Sequence, residues 1–113
     1  MKYLLLIQHF DPDVWERFSE DEKAAIYGEF KAIAETPGVS PGLLLQPAEM
    51  ATTVRMQDGK TLTTDGPFVA VKEAVGGYLV FEGHDLDAAI ELAARIPQVS
   101  RGGAVEVRLI MES

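Results

Sequence analysis

Gln8 and His9 end the first apolar run of the chain, Tyr3 to Ile7. An imidazole at a strand end lines the mouth of a pocket and has an unperturbed pKa near ~6.5, so His9 is a candidate general acid or base. The second candidate is Asp65, which opens Asp65-Gly66-Pro67-Phe68. As a turn, each of these residues has a structural purpose. The aspartate accepts backbone N–H bonds, Gly66 takes positive φ, Pro67 fixes φ without offering a donor, and Phe68 anchors the turn on the core. As a site, Asp65 is a carboxylate at a pocket mouth, its pKa raised by desolvation or a second carboxylate, with Gly66, Pro67 and Phe68 against the ligand. Lys72 and Glu73 follow, and neighbours in an extended segment point to opposite sides. They form either a surface pair or a set in which Lys72 faces Asp65 and binds an anionic group. Asp65, Lys72 and Tyr78 then make a polar group at one end of an apolar cavity. Arg55 shares a strand face with Thr53; its planar fork suits either a ligand carboxylate or a glutamate such as Glu106. His84 beside Asp85 reads as a loop residue, and Trp15 with Phe18 as a satellite apolar cluster. Gly76-Gly77 and Gly102-Gly103 enter strands and lack the spacing of a phosphate-binding loop.

These residues are positioned by alternating apolar segments. Tyr3 to Ile7 and Tyr78 to Phe81 are apolar without alternation, which predicts strands covered on both faces. Ser19 and Glu22 have capping-box spacing and start a helix with an Ile26, Phe30, Ile33 and Ala34 stripe, ended by Pro37-Gly38. Leu43 to Leu45 reads as extended. Thr52 to Met56 and Thr61 to Thr64 flank Asp58-Gly59, a hairpin signal. Asp85 caps a second helix with Leu86, Ala89, Ile90, Ala93 and Ile96 on one side. In the last strand, Ala104 to Met111, Val105, Val107, Leu109 and Met111 point one way, and Glu106 and Arg108 the other.

The order of strands and helices is that of an α+β, ferredoxin-like split βαβ sandwich with an antiparallel sheet. Two helices cover one sheet face, so the other apolar face requires a cover. A second copy of the chain supplies it by two-fold symmetry, giving a homodimer; the alternative cover is the segment from Pro67 to Val75.

Composition narrows the function. The 113 residues form one domain, with 47 % apolar and 25 % charged residues. Ten Lys and Arg against eighteen Asp and Glu give a net charge of −8 with no basic run, unsuited to nucleic acid or an anionic membrane surface. There is no cysteine, and two histidines alone do not complete a zinc site, so neither metal nor cofactor is expected. No run approaches the roughly 20 apolar residues of a membrane span, and no signal-peptide pattern follows Met1, which predicts a cytoplasmic protein.

Several stretches together carry a resemblance. Thr63-Thr64-Asp65-Gly66-Pro67-Phe68, Lys72-Glu73 and Gly76-Gly77-Tyr78 resemble the signature of DGPF proteins, within the broader YCII-related family. Met1 to Ile7, Ala51 to Arg55, Asp85 to Ala89, Ala93 to Pro97 and Val105 to Arg108 agree in order. The resemblance implies a ferredoxin-like fold pairing as a dimeric α/β barrel, in a family whose chemistry is largely uncharacterised. It departs in two places. Leu109 stands where the pattern has proline. The His–Asp pair of a YCII-like lyase falls on Tyr27 and Ile96, so that mechanism does not transfer by position. Two functions remain open: a dimeric small-molecule-binding protein with its pocket at the sheet face, or a cofactor-independent lyase or isomerase using Asp65 or His9. A partner-binding module without a cavity is a third.

Overall fold

Strands β1 (Lys2–Gln8) and β5 (Val75–Glu82) pair antiparallel at the centre of a four-stranded sheet, flanked by β2 (Val39–Ser40) beside β5 and β6 (Val105–Leu109) beside β1. The computed structural model describes residues 1–40, 42–66 and 75–112. The order β2-β5-β1-β6 is the ferredoxin-like arrangement the sequence predicts, with both unalternating apolar strands at its centre. Helices α1 (Pro12–Arg17) and α2 (Glu20–Ala34) follow β1, and α3 (Leu86–Ala94) follows β5.

Register sorts the apolar residues onto two faces. Tyr3 stands opposite Phe81, Leu5 opposite Leu79 and Ile7 opposite Gly77, while Val105 and Val107 lie opposite Ile7 and Leu5. This face packs on Ile33, Ala89, Leu92, Ala93 and Ile96 to form the core. Leu4, Leu6, Tyr78 and Val80 point to the opposite face and are only half-buried. Glu106 and Arg108 share that face and pair at 3.5 Å (Arg108 Nε to Glu106 Oε2). Arg55, whose fork suits a ligand carboxylate or a glutamate such as Glu106, is not on a strand neighbouring Glu106. It lies instead on β3 (Thr52–Gln57), in a separate two-stranded sheet with β4 (Lys60–Asp65).

The helix boundaries follow local chemistry. Ser19 Oγ accepts from Glu22 N at 3.1 Å and Asp85 Oδ1 from Ala88 N at 2.9 Å, each satisfying a donor the helix leaves open. Two stripes need correction. Ala34 is exposed on α2, and on α3 Leu92 is buried while Leu86 and Ile90 are exposed. The α3 stripe therefore centres on Ala89, Leu92, Ala93 and Ile96, the i, i+3, i+4, i+7 set that faces the sheet. Leu44 makes a single antiparallel bridge to Gly77, so the expected extended segment at 43–45 prolongs the β2 edge of the sheet. In the hairpin turn Asp58 (φ 52°) and Gly59 (φ 75°) both take positive φ, the conformation that matches the twist of two paired strands. No helix among the described residues is long and apolar enough to cross a membrane.

One ion cluster ties α2 to the turn after α3. Arg101 Nε meets Glu22 Oε1 at 2.8 Å and its Nη2 meets Glu29 Oε2 at 2.8 Å, while Nη1 donates to the Pro97 carbonyl at 3.0 Å. The hydrogen bond to Glu29, then that to Glu22, raises the Arg101 pKa above its already high ordinary value. A raised pKa stabilises the fold below the unfolded guanidinium's own titration, and that contribution is lost only as pH rises through the folded value. It is therefore constant through the neutral range. Arg101→Ala should lower the urea-unfolding free energy by about 1–3 kcal/mol, with no pH dependence between neutral and mildly alkaline pH. Arg101→Lys should recover less than half, because an ammonium cannot fork to two carboxylates.

Candidate functional site

The chain leaves β1 at Gln8 and turns back under the sheet edge. Asp11 Oδ1 accepts from Asp13 N at 2.9 Å and Pro12 occupies the first position of α1, so the helix begins at once. This short helix brings three aromatic rings together: Phe10 and Trp15 are stacked with centroids 5.8 Å apart, and Phe18 meets Phe10 edge-on at 5.4 Å. Tyr27 of α2 stands edge-on to Trp15 at 5.8 Å, and Lys23 Nζ sits 5.4 Å from the Trp15 ring centre. The expected satellite cluster of Trp15 and Phe18 is thus present, and it forms a wall.

Behind that wall is a pocket of about 340 Å³. Ile7 to Phe10, Pro12, Trp15, Ile26, Tyr27 and Phe30 line it from β1, α1 and α2; Leu44, Leu45, Gly76 and Gln98 line it from the far side. No Lys, Arg, Asp or Glu is among these lining residues. The polar groups are few. His9 Nε2 lies 3.4 Å from the Gln46 carbonyl. Gln8 Oε1 accepts from Ala104 N at 2.7 Å and closes the end of the sheet. Gln98 is 6 % exposed, and its Oε1 has no hydrogen-bond partner among the described residues. A buried acceptor left unpaired costs about 1–3 kcal/mol, so Gln98 is the unusual group here.

Of the candidate catalytic and ligand-binding residues among the described ones, His9 lies at this pocket, together with Gln8 and Trp15. His9 packs over Gly76, where a Cβ would collide with the imidazole. Asp65 is exposed at the end of β4, opposite Thr52. Gly66 takes φ 95°, its N–H donates to the Ala51 carbonyl at 2.6 Å and its carbonyl accepts from Thr53 Oγ1 at 2.6 Å. The Asp65-Gly66 step therefore closes the base of the hairpin, and Gly66 has positive φ. Tyr78 is half-buried on the sheet face away from the helices, opposite Leu6. Arg55 is on the hairpin, beside neither. Pro67, Phe68, Lys72 and Glu73 lie outside the described residues. His84 is exposed before α3. Sequence reasoning passed over Gln98, whose signal is an amide directly after the buried Ile96-Pro97 pair. It also read Trp15 as packing alone, although it is the chain's one tryptophan.

The whole chain, residues 1–113, matches the YCII-related domain. It belongs to the YCII-related family. Among curated proteins, an uncharacterized protein of Rhizobium meliloti (strain 1021) is 28 % identical over 113 residues, covering 96 % of this chain and 90 % of the relative. Among solved structures, the 5-chloro-2-hydroxyhydroquinone dehydrochlorinase of Burkholderia phenoliruptrix AC1100, in complex with 2,5-dihydroxybenzoquinone, superposes with a TM-score of 0.52. That likeness covers 100 % of this chain and 96 % of the other at 16 % identity, and it shows a shared fold. Within this YCII-related chain, Tyr27 stands in the pocket wall and Ile96 is fully buried in the core.

The contact between Gly76 and His9 is directly testable. Gly76→Ala should lower stability by about 1–3 kcal/mol and shift the His9 imidazole resonances, since the added methyl must displace the ring. Gly28→Ala is the control: nothing lies within 4 Å of its Cβ position. In a helix interior it should stabilise by up to about 1 kcal/mol and leave His9 unmoved.

Proposed function

We propose that this YCII-related protein is a homodimer that binds a small, uncharged, mostly apolar molecule in the pocket beneath α1 and α2. The Gln98 Oε1, unpaired among the described residues at an apolar pocket, carries the reading. Apolar walls with one or two polar groups are the usual composition of a small-molecule site. Among the described residues no carboxylate or cationic side chain lines the pocket, which favours a neutral ligand over an ion. A hydroxyl or amide on the ligand satisfies the Gln98 amide, whose terminal torsion is soft enough to turn toward it. The structural neighbour holds a single-ring compound, 2,5-dihydroxybenzoquinone, which supports a small ring molecule as the ligand's size class. The dimer is supported by Leu4, Leu6, Tyr78 and Val80, half-buried apolar residues on the sheet face away from the helices, which they share with the Glu106–Arg108 pair.

The alternative, a cofactor-independent lyase or isomerase, is favoured by one observation. His9 is at the pocket and offers an imidazole as general base, whereas Asp65 is on the hairpin. In that reading His9 acts and Asp65 does not.

Trp15 lines the pocket and is the one tryptophan, so its emission reports occupancy. With 2-naphthol as the probe, Trp15 quenching should saturate, and Gln98→Leu should weaken binding about tenfold, the value of one hydrogen bond. A response that does not saturate, or one indifferent to Gln98→Leu, overturns the site. A probe recovered chemically unchanged supports binding. Conversion that disappears in His9→Gln at equal affinity supports the enzyme.

A further inference from the structure

The hairpin β3–β4 is at odds with a single folded copy. Of its twelve strand residues only Thr53 is even half-buried. Neither strand packs substantially on another element among the described residues. A lone two-stranded hairpin is marginally stable in water. This one is nonetheless amphipathic. Cross-strand register puts Val54 and Met56 on one face with Thr52, Thr61, Thr63 and, at the open end, Asp65; Thr53, Arg55, Gln57, Lys60, Leu62 and Thr64 are on the other. Val54 is 64 % exposed and Met56 is 69 % exposed.

The dimensions agree. The chain has 8122 Å² of accessible surface, whereas a folded monomer of its 12.3 kDa exposes ~6,100 Å². Its radius of gyration is 16.1 Å against ~13 Å for a compact chain of this length. The thinnest extent, 19 Å, accommodates a helix layer on a sheet layer, and a third layer needs ~10 Å more. Among the described residues, therefore, the hairpin packs on neither face of its own sheet, and no described helix covers the second face, where Leu4, Leu6, Tyr78 and Val80 are half-buried. The surplus is about 2,000 Å² per chain, or about 4,000 Å² for a pair, within the range of obligate homodimers.

We infer that the hairpin is an arm that lays its Val54–Met56 face on the open sheet face of a second copy, against Leu4, Leu6, Tyr78 and Val80 of the partner. This rests on the homodimer proposed above and goes beyond it: the two sheets are joined by exchanged arms as well as by face-to-face contact. By symmetry each copy donates one arm and receives one, so the contact closes without leading to a filament.

The experiment uses the full chain, whose lack of cysteine allows clean disulfide trapping. Val54→Cys combined with Val80→Cys, oxidised at low micromolar concentration, should give a covalent dimer on a non-reducing gel. An intrachain bond, or none in a protein that is dimeric by light scattering, overturns the arm and leaves the dimer standing. A monomeric wild-type protein overturns both. Separately, Val54→Asp/Met56→Asp should raise the dimer dissociation constant at least about 100-fold, because two carboxylates would be buried in an apolar contact. Gln57→Asp/Lys60→Asp on the other hairpin face should leave it within about threefold. Circular dichroism on both variants checks the fold; equal dissociation constants for the two overturn the arm.

Discussion

The pairing of β1 with β5 organises the molecule. Both strands are apolar on both sides, and their register stacks Tyr3, Leu5, Leu79 and Phe81 on one face. The helices can cover only that face. The other, with Leu4, Leu6, Tyr78 and Val80, is left at the surface by the same alternation that buries the first. The pocket and the uncovered face both follow from this arrangement. The pocket forms where β1 runs out and the chain must turn under α2. The open face forms because a split βαβ chain has two crossover connections and both lie on one side.

Stability and site are held by different parts of this frame. The Arg101 cluster fastens α2 to the turn that carries Gln98, through Glu22, Glu29 and the Pro97 carbonyl. That turn therefore has little freedom to relieve the unpaired Gln98 Oε1 by moving away. Gly76 permits His9 to lie against β5, so the imidazole reaches the pocket rather than solvent. An aromatic wall of Phe10, Trp15 and Tyr27 completes the enclosure. A rigid frame around one unsatisfied polar group is the arrangement expected of a binding site, since burial without a partner is tolerated where a ligand supplies it.

The acidic, cysteine-free composition and the absence of converging ligand sets narrow the chemistry in the same direction. Among the described residues no three His, Asp or Glu side chains come together. Among the described residues, the polar and aromatic groups at the pocket are one imidazole, two amides and aromatic rings. Such a set recognises a neutral molecule by shape and a hydrogen bond, and it can move a proton at most through His9.

Local chemistry made much of the fold legible. Ser19 and Asp85 mark helix starts, Asp58-Gly59 marks a hairpin, and Glu106 and Arg108 alternate with Val105 and Val107, because capping, turn and alternation rules act over a few residues. The DGPF-type stretches identify the family for the same reason, being contiguous in the chain. The site was legible only in His9. Gln98 is 89 residues from His9 in the chain, and nothing local distinguishes a buried unpaired amide from a surface one. The α3 stripe was misread by one rotation, since Leu86 and Ile90 are as apolar as Leu92 and only packing chooses among them. Turns and pocket mouths use the same residues, so the sequence at Asp65 reads either way, and its place at the end of β4 is a property of the whole chain path. Short-range chemistry is thus written in the sequence, whereas which distant side chains share a cavity is decided by how the two central strands direct the segments that leave them.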